Sequence, residues 1–526
     1  MNINTIYSQT WPKYYGQLNR PDGPMDIIEL YDNGYLILGE FFNTTFTKRW
    51  GWLIKTDVNG SILWEKVIEN PQEWVSLWAI EQTPDGGYVI CGSVGVATAS
   101  YYPLVLKLNA CGVKEWCKIF KGSQIGMSGA VDVKVDNDGN IILLVLQYGS
   151  FPEETIHLFK LNNNGDILWI EPFATAFNYP DAGVHVPRSL IVTEENKYVI
   201  SAKGFWEHPW NPGGGYYARP MFIMVDSTGN ELWVLPFGLN DTIVGLSNHS
   251  IAYNDGNYVS VGVRVTAGPV YDGLIMSIHE DGTELDYIQL SFEQVNPDAN
   301  GGELRYISEI DSLFILGAVY GDYFSPDPWP PGEILLEDIN FDSLNILGSK
   351  YYPSNRPPYA LATLNSGKYL SASTYPHSST NYDIFLAKLN LNLEYDTAYT
   401  GNLTYDSLCI PGPPQSGFIY LDDCDIVLGT EMPTAAEYRA RVQHIPITIY
   451  PNPAKDHVTF ALENTEHHRN IELRCFNLLG VQQHQTTILR GQQQTTANLS
   501  NWPPGMYVVV VYSDGMPVGR GKFVVH

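Results

Sequence analysis

Thr83-Pro84-Asp85-Gly86-Gly87-Tyr88-Val89-Ile90-Cys91-Gly92 is the stretch whose reading decides the fold. An Asp-Gly turn is followed by an aromatic residue and then an apolar run of strand length that closes on glycine. The phrase recurs as D-N-G-Y-L-I-L-G at Tyr35, D-G-N-I-I-L-L at Ile141 and E-N-K-Y-V-I-S at Tyr198. It returns as D-G-N-Y-V-S-V-G at Tyr258, D-S-L-F-I-L-G at Phe314 and S-G-K-Y-L-S-A at Tyr369. The intervals between copies run from 53 to 60 residues, a period that marks a repeat architecture.

A second phrase follows the first: apolar strand, turn, strand bearing tryptophan. It reads I-K-T-D-V-N-G-S-I-L-W to Trp64, L-K-L-N-A-C-G-V-K-E-W to Trp116, F-K-L-N-N-N-G-D-I-L-W to Trp169 and I-M-V-D-S-T-G-N-E-L-W to Trp233. Later copies keep the turn, as around Gly282, or only its outline. Each unit therefore predicts four strands, and such units repeated seven times predict a closed β-propeller over residues 1–400. Trp11, in Q-T-W-P-K-Y-Y-G, parallels Trp64 in I-L-W-E-K-V-I but has no strands before it. It is expected to be the last strand of the seventh blade, delivered from the N-terminus to lock the ring, with the tryptophans packed between blades.

Composition agrees with strands: aromatics reach 13% and charged residues only 17%. The net charge of −27 repels phosphate backbones and anionic headgroups, so no nucleic-acid partner is expected. The segment from Ile447 onward is close to neutral, which places a boundary near residue 446. No apolar run is long enough for a transmembrane helix. Met1 to Thr10 lacks the apolar core of a signal peptide, which taken alone points to the cytoplasm.

Of six cysteines, Cys111 and Cys117 flank a turn in C-G-V-K-E-W-C, and Cys409 and Cys424 flank a Pro/Gly-rich stretch. Either pair could bridge a hairpin in an oxidising compartment. Zinc spacing is lacking. Cys91 and Cys475 sit in strand-like runs and read as buried thiols. Residues 401–430 form a short cysteine-containing module, 431–446 a polar linker, and 447–526 a strand-rich segment expected to be a small Ig-like β-sandwich.

That last segment holds Tyr450-Pro451-Asn452-Pro453-Ala454, then Asn477-Leu478-Leu479-Gly480, then L-S-N-W-P-P-G-M-Y through Gly505 to Tyr507, and finally Lys522-Phe523-Val524-Val525. In this order it resembles the type A C-terminal sorting domain of type IX secretion in Bacteroidetes, with His526 as a departure at the very end. The resemblance implies export across both membranes, recognition by the secretion machinery, removal of the domain and, often, attachment to lipopolysaccharide. It places the protein outside the cell or on its outer surface, and implies an export signal not visible in this chain. The propeller and the T-Y-D-S-L-C module resemble uncharacterised cargo of the same system. Asp241-Thr242-Ile243, Asp311-Ser312-Leu313, Asp342-Ser343-Leu344 and Asp406-Ser407-Leu408 resemble the O-glycosylation sequon of that group, although hairpin turns explain them equally.

No catalytic constellation is evident. The phrase T-D-V-N-G-S-I-L-W resembles the Asp-box turn of sialidases, but no arginine cluster accompanies it. The D-V-N-G and D-N-D-G turns lack the ligand spacing of calcium loops, and neither a cofactor nor a metal is expected. The connection between second and third strands is enlarged twice, at Gly204–Pro220 and Gly321–Gly332. Trp206, Trp210, Tyr216, Tyr217 and Trp329 there offer planar faces, and Glu207, His208 and Asp327 polar partners, for a glycan, peptide or protein. The leading expectation is a non-enzymatic binding or adhesion protein. The alternative is a polysaccharide hydrolase or lyase using carboxylates in the propeller channel.

Overall fold

The computed structural model describes residues 11–16, 20–96, 100–121, 128–147, 155–173, 186–207, 216–238, 243–253, 256–265, 271–290, 298–307, 312–320, 332–340, 345–354, 360–378, 381–390, 394–409, 414–428, 447–462, 471–477, 482–488, 492–513 and 516–526. From 298 to 354, and at several strand ends, it describes the backbone alone. The chain is all-β and propeller-like; among the described residues there is no helix. It divides into two compact units, one of Met1–Gly229 with Val234–Met432, the other of Pro433–His526 with Asn230–Trp233.

The first unit opens with β1 (Lys13–Tyr15) and continues as antiparallel meanders. These are β2–β5 (Asp22–Glu29, Tyr35–Phe42, Arg49–Thr56, Ile62–Glu69) and β6–β9 (Trp74–Gln82, Tyr88–Val96, Ser100–Leu108, Lys114–Lys121). Next come β10–β13 (Gly129–Val135, Ile141–Gln147, Thr155–Leu161, Ile167–Phe173) and β14–β17 (Val186–Val192, Tyr198–Glu207, Tyr216–Val225, Glu231–Pro236). Then follow β18–β21 (Gly245–Tyr253, Asn257–Val265, Tyr271–His279, Glu284–Leu290) and β22–β25 (Asp298–Ile307, Ser312–Tyr320, Gly332–Asn340, Asn345–Ser354). A parallel pair, Tyr271 with Asp298, joins these last two into one eight-stranded sheet. The last meander is β26–β28 (Ala360–Thr363, Tyr369–Ser378, Asn381–Leu389), and β1 completes it by pairing antiparallel to β28, Tyr14 opposite Phe385.

First strands lie against first strands in sequence: β2 on β6, β6 on β10, then β14, β18, β22 and β26, which returns to β2. Core clusters fill the spaces between neighbouring meanders rather than within them. One gathers Leu38, Leu53, Trp64, Ile90 and Leu106 from β2–β5 and β6–β9. Another gathers Trp11, Tyr15, Ile37, Ile54, Leu370 and Leu386 across the junction of β26–β28 with β2–β5.

The repeated residues explain this packing. The tryptophan closing one meander meets the aromatic opening the second strand of the next: Trp64 with Tyr88 at 6.4 Å and 57°, Trp169 with Tyr198 at 6.1 Å and 52°. Trp11 meets Tyr35 at 6.4 Å and 56°, so the N-terminal strand occupies a fourth-strand position. Each of these tryptophans also covers the turn glycine of the next meander. A Cβ on Gly165, where φ is +82°, would lie 2.9 Å from Trp116 Cδ2, so only glycine suits both the turn and its cover. At the Tyr198 copy, Asn196 (φ 57°) takes the left-handed turn position that glycine holds in most other copies.

A lysine on the third strand is buried in several meanders and anchored by an acid. Lys55 pairs with Asp32 at 2.6 Å, Lys107 with Asp85 at 3.1 Å, Lys160 with Asp136 at 2.9 Å and Lys388 with Asp396 at 3.3 Å.

After β28 the chain runs back over β2–β9. There β29 (Gly417–Tyr420) adds parallel to β5, and β30 (Asp425–Leu428) adds parallel to β9. The cysteine pairing expected within each hairpin is corrected here. Cys111 bonds Cys409 and Cys117 bonds Cys424, with Cα separations of 4.8 and 4.9 Å. The returning segment brings each partner beside β9 from 298 and 307 residues away, a path that local spacing does not encode. Cys91 and Cys475 are buried free thiols; burial pushes the Cys475 thiol up to about 12.

The second unit has two sheets, β31–β32–β35 (Ile447–Tyr450, His457–Leu462, Gln494–Asn498) and β34–β33–β36–β37 (Gln482–Ile488, Ile471–Asn477, Gly505–Ser513, Met516–Val525). One core takes side chains from both, including Val458, Phe460, Leu473, Val509 and Phe523.

Candidate functional site: the first-strand cavity and the sorting motifs

The first strands β2, β6, β10, β14 and β18 line a cavity of about 540 Å³. Each carries a β-bulge, at Met25, Trp78, Val131, Arg188 and Asn248 respectively, and the first four of these residues line the cavity. A bulge adds one residue and re-aims the side chains around it. The next residues, Asp26, Ala79, Asp132, Ser189 and His249, all precede the repeat aromatic or its equivalent by nine positions. Alignment on the turns alone misses this ring, but that fixed offset is the sequence signal that could have found it.

Asp26, Asp132 and Ser189 join neighbouring meanders. Asp26 accepts the Ile80 N–H at 2.9 Å, Asp132 accepts Leu190 N–H at 2.8 Å, and Ser189 Oγ accepts Ser250 N–H at 3.1 Å. The second oxygen of each aspartate is also engaged: Asp26 Oδ1 by Ile27 N–H, Asp132 Oδ1 by Val133 N–H and by Lys134 Nζ. Glu81 lies 3.7 Å from Lys134 Nζ. A glycosidase needs one carboxyl group that donates a proton and a second that is free to attack or to activate water. Among the described cavity-lining residues, the carboxylates serve as acceptors and ion-pair partners instead.

The turn aspartates are likewise occupied by their own turns: Asp57 Oδ1 accepts Asn59 and Ser61 N–H, and Asp136 Oδ1 accepts Asp138 and Asn140 N–H. Cys117, Asp423 and Cys424 bring ligand-type atoms within 4.8 Å of one another, but the two sulfurs are bonded to each other and offer no thiolate to a metal.

The aromatic connection expected over Gly204–Pro220 is shorter than the sequence suggests. The β15–β16 ladder extends to Trp206 opposite Tyr217 and Glu207 opposite Tyr216, which leaves 208–215 as the connection. His208, Trp210, Asp327 and Trp329 lie outside the described residues, as do the side chains of Trp206, Glu207, Tyr216 and Tyr217. Arg219, on the same hairpin, is buried and donates to the carbonyls of Pro236, Phe237 and Gly238, a structural role.

In the second unit, motifs far apart in sequence meet. Asn452 donates to the Lys522 carbonyl at 3.2 Å and accepts Val524 N–H at 3.0 Å. Tyr507 stacks on Phe523 at 5.6 Å, and its hydroxyl donates to the Pro503 carbonyl at 2.7 Å. Pro451, Asn452, Pro453, Gly505 and Lys522 are exposed around this cluster, while Gly480 lies outside the described residues.

Residues 448–526 match the secretion system C-terminal sorting domain. With this sorting domain at its end, the chain fits type IX secretion cargo, secreted or carried on the cell surface. Among the described residues no helix is long and apolar enough to cross a membrane. No curated protein matches the chain. Among solved structures, the plexin A4 full extracellular region is 8% identical with a TM-score of 0.43. That match covers 96% of this chain and 66% of the plexin chain, just under two thirds of its length. An α-L-arabinofuranosidase from Fusarium graminearum is 9% identical with a TM-score of 0.37, covering 60% of this chain and 93% of its own. The Hadza microbial sialidase Hz136 is 11% identical with a TM-score of 0.39, covering 65% and 73%. Likenesses this distant carry no argument about activity.

Proposed function

We propose that this protein is a secreted or surface-attached binding and adhesion protein, exported by type IX secretion through its sorting domain. In this reading residues 1–400 form a seven-bladed propeller, 401–430 a cysteine module that braces it, 431–446 a linker and 447–526 an Ig-like sandwich. The cyclic contact of first strands and the fourth-strand position of β1 support the ring, with the eight-stranded sheet counted as two bridged blades. The observation that favours binding over hydrolysis is the engagement of Asp26, Asp132 and Glu81 in the cavity wall.

The ligand surface is then the face bearing the second-to-third-strand connections, with Trp206, Trp210, Tyr216, Tyr217 and Trp329 as stacking faces and Glu207, His208 and Asp327 as polar partners. Glycan, peptide and protein remain the candidate ligand classes. The test is binding of the purified full chain to glycan and peptide arrays, repeated with Trp206→Ala/Tyr217→Ala. The expected outcome is specific binding that weakens at least about tenfold in the variant, equivalent to about 1.4 kcal/mol. Release of reducing sugar from any polysaccharide, or binding indifferent to the variant, would count against the reading.

A further inference from the structure

Residues 395–409 and 414–428 belong to no meander, yet they touch three parts of the ring in turn. Asp396 joins Lys388 and Lys368 of the last blade, at 3.3 and 2.8 Å. Asn59, in a turn of the first blade, accepts Tyr399 N–H at 2.7 Å and donates to the Tyr399 carbonyl at 3.0 Å. The Tyr405 hydroxyl accepts Val58 N–H at 3.0 Å. Asp406 adds a second carboxylate to the buried Lys55, and its N–H donates to Asp32. Cys409 is then bonded to Cys111 in the second blade, β29 pairs with the outer strand of the first blade, and Cys424 and β30 fix the chain to the outer strand of the second. Lys114 pairs with Asp423, and Lys118 with Asp425 at 3.2 Å.

This path crosses the seam where the ring closes. Among the described residues, the ladder at this seam is only three residues long, β1 on β28, and the rest of the closure is side-chain packing of Trp11, Tyr15, Ile37 and Ile54 against Leu370 and Leu386. A three-residue ladder is the kind of element that opens locally at small cost. The returning segment crosses from the last blade to the first, beside that ladder, and is held at its far end by two covalent bonds. It also covers the outer edges of β5 and β9, which would otherwise present unpaired backbone groups.

We propose that residues 395–409 and 414–428 form an oxidation-set clasp that holds the propeller seam shut. Each disulfide forms when a cysteine pair gives two electrons and two protons to a protein-disulfide donor, which is reduced to a dithiol. An added dithiol reverses this, returning two thiols per bond and itself becoming a disulfide. In the oxidised protein the clasp holds the first two blades to each other and to the last. In the reduced protein the segment loses its two covalent anchors and keeps its short ladders, hydrogen bonds and ion pairs, and the seam rests on β1 and the packing across the junction. The proposal concerns this unit alone and does not depend on the route of export or the ligand.

The test uses the full chain, folded and oxidised, with hydrogen exchange read by mass spectrometry before and after mild dithiol treatment. A non-reducing peptide map first establishes the bonds and should return Cys111 with Cys409 and Cys117 with Cys424. Reduction should then speed exchange at least about tenfold at Gly417–Tyr420, at Asp425–Leu428 and at Lys13–Tyr15, and leave Ile141–Leu146 unchanged. Cys409→Ser/Cys424→Ser should reproduce the reduced pattern without reductant. Hairpin pairing of Cys111 with Cys117, or exchange at Lys13–Tyr15 indifferent to both treatments, would overturn the proposal.

Discussion

Replacing Asp136 by alanine is expected to lower the unfolding free energy by about 3–5 kcal/mol at pH 7, because it strands a buried ammonium group. Lys160 is almost wholly buried, and its Nζ reaches Asp136 at 2.9 Å and the Tyr198 hydroxyl at 2.9 Å. Tyr198 in turn donates to Asp136 at 3.2 Å, so the acid serves two blades. Removing both charges, as Asp136→Ala/Lys160→Met, should recover most of the loss, since an apolar side chain of similar length fills the space without an unpaired charge. The pair also sets a pH dependence. Burial alone would raise the Asp136 carboxyl, but hydrogen bonds from Lys160 and Asn140 outweigh it and hold the group below the ordinary carboxylate range. A lowered folded value means that the contribution is fully present above the unfolded value near ~3.9 and is lost as pH falls through the folded one. The gap between wild type and Asp136→Ala, measured by urea unfolding, should therefore narrow below about pH 4. A gap of the same size at pH 7 and pH 3 would refute this account of the pair.

Trp11→Ala should cost a similar amount, about 3–5 kcal/mol, the usual range for truncating a buried tryptophan. Only 3% of Trp11 is exposed; it packs on Tyr35 and covers the turn at Gly60, while Tyr15 donates its hydroxyl to the Gly60 carbonyl at 2.8 Å. The same tryptophan-on-turn contact recurs at Trp64 and Trp169 inside continuous meanders. At Trp11 it falls beside a short strand whose sheet partner, β28, lies at the other end of the repeat array in sequence. The variant should therefore lose protection first at Lys13–Tyr15 and at the facing Ile384–Leu386, before the other blades respond. A small change in urea midpoint with intact protection at Lys13–Tyr15 would mean that β1 is an accessory rather than the closing strand.

The parts of the fold carried by local chemistry were legible in the sequence. Asp-Gly and Asn-Gly turns require left-handed backbone at one position, and the aromatic that follows each turn marks the buried start of a strand. The match between Trp11 and Trp64 was enough to anticipate the closure. Two features did not follow from this local chemistry. The bulges at Met25, Trp78, Val131 and Arg188 re-aim the side chains before the aligned turns, so the cavity lining did not follow from the turns alone, although its constant nine-residue offset from the repeat position was there to be read. The cysteines could be named but not paired, because Cys409 and Cys424 reach Cys111 and Cys117 by a parallel strand addition that no local pattern announces. Of the aromatic connections, only the backbone ladder out to Glu207 and Tyr216 falls among the described residues, and it shortens the first of them.

The central claim, that this propeller is carried out of the cell by its last domain, is tested most directly by an export assay. The full chain and a chain ending at Met432, each behind the same signal peptide, would be expressed in a bacterium with a type IX system and in a strain lacking it. The account predicts the full chain in the medium or on the surface only where the system is present, and the shortened chain retained in the periplasm. Equal export of the shortened chain, or export of the full chain without the system, would contradict it.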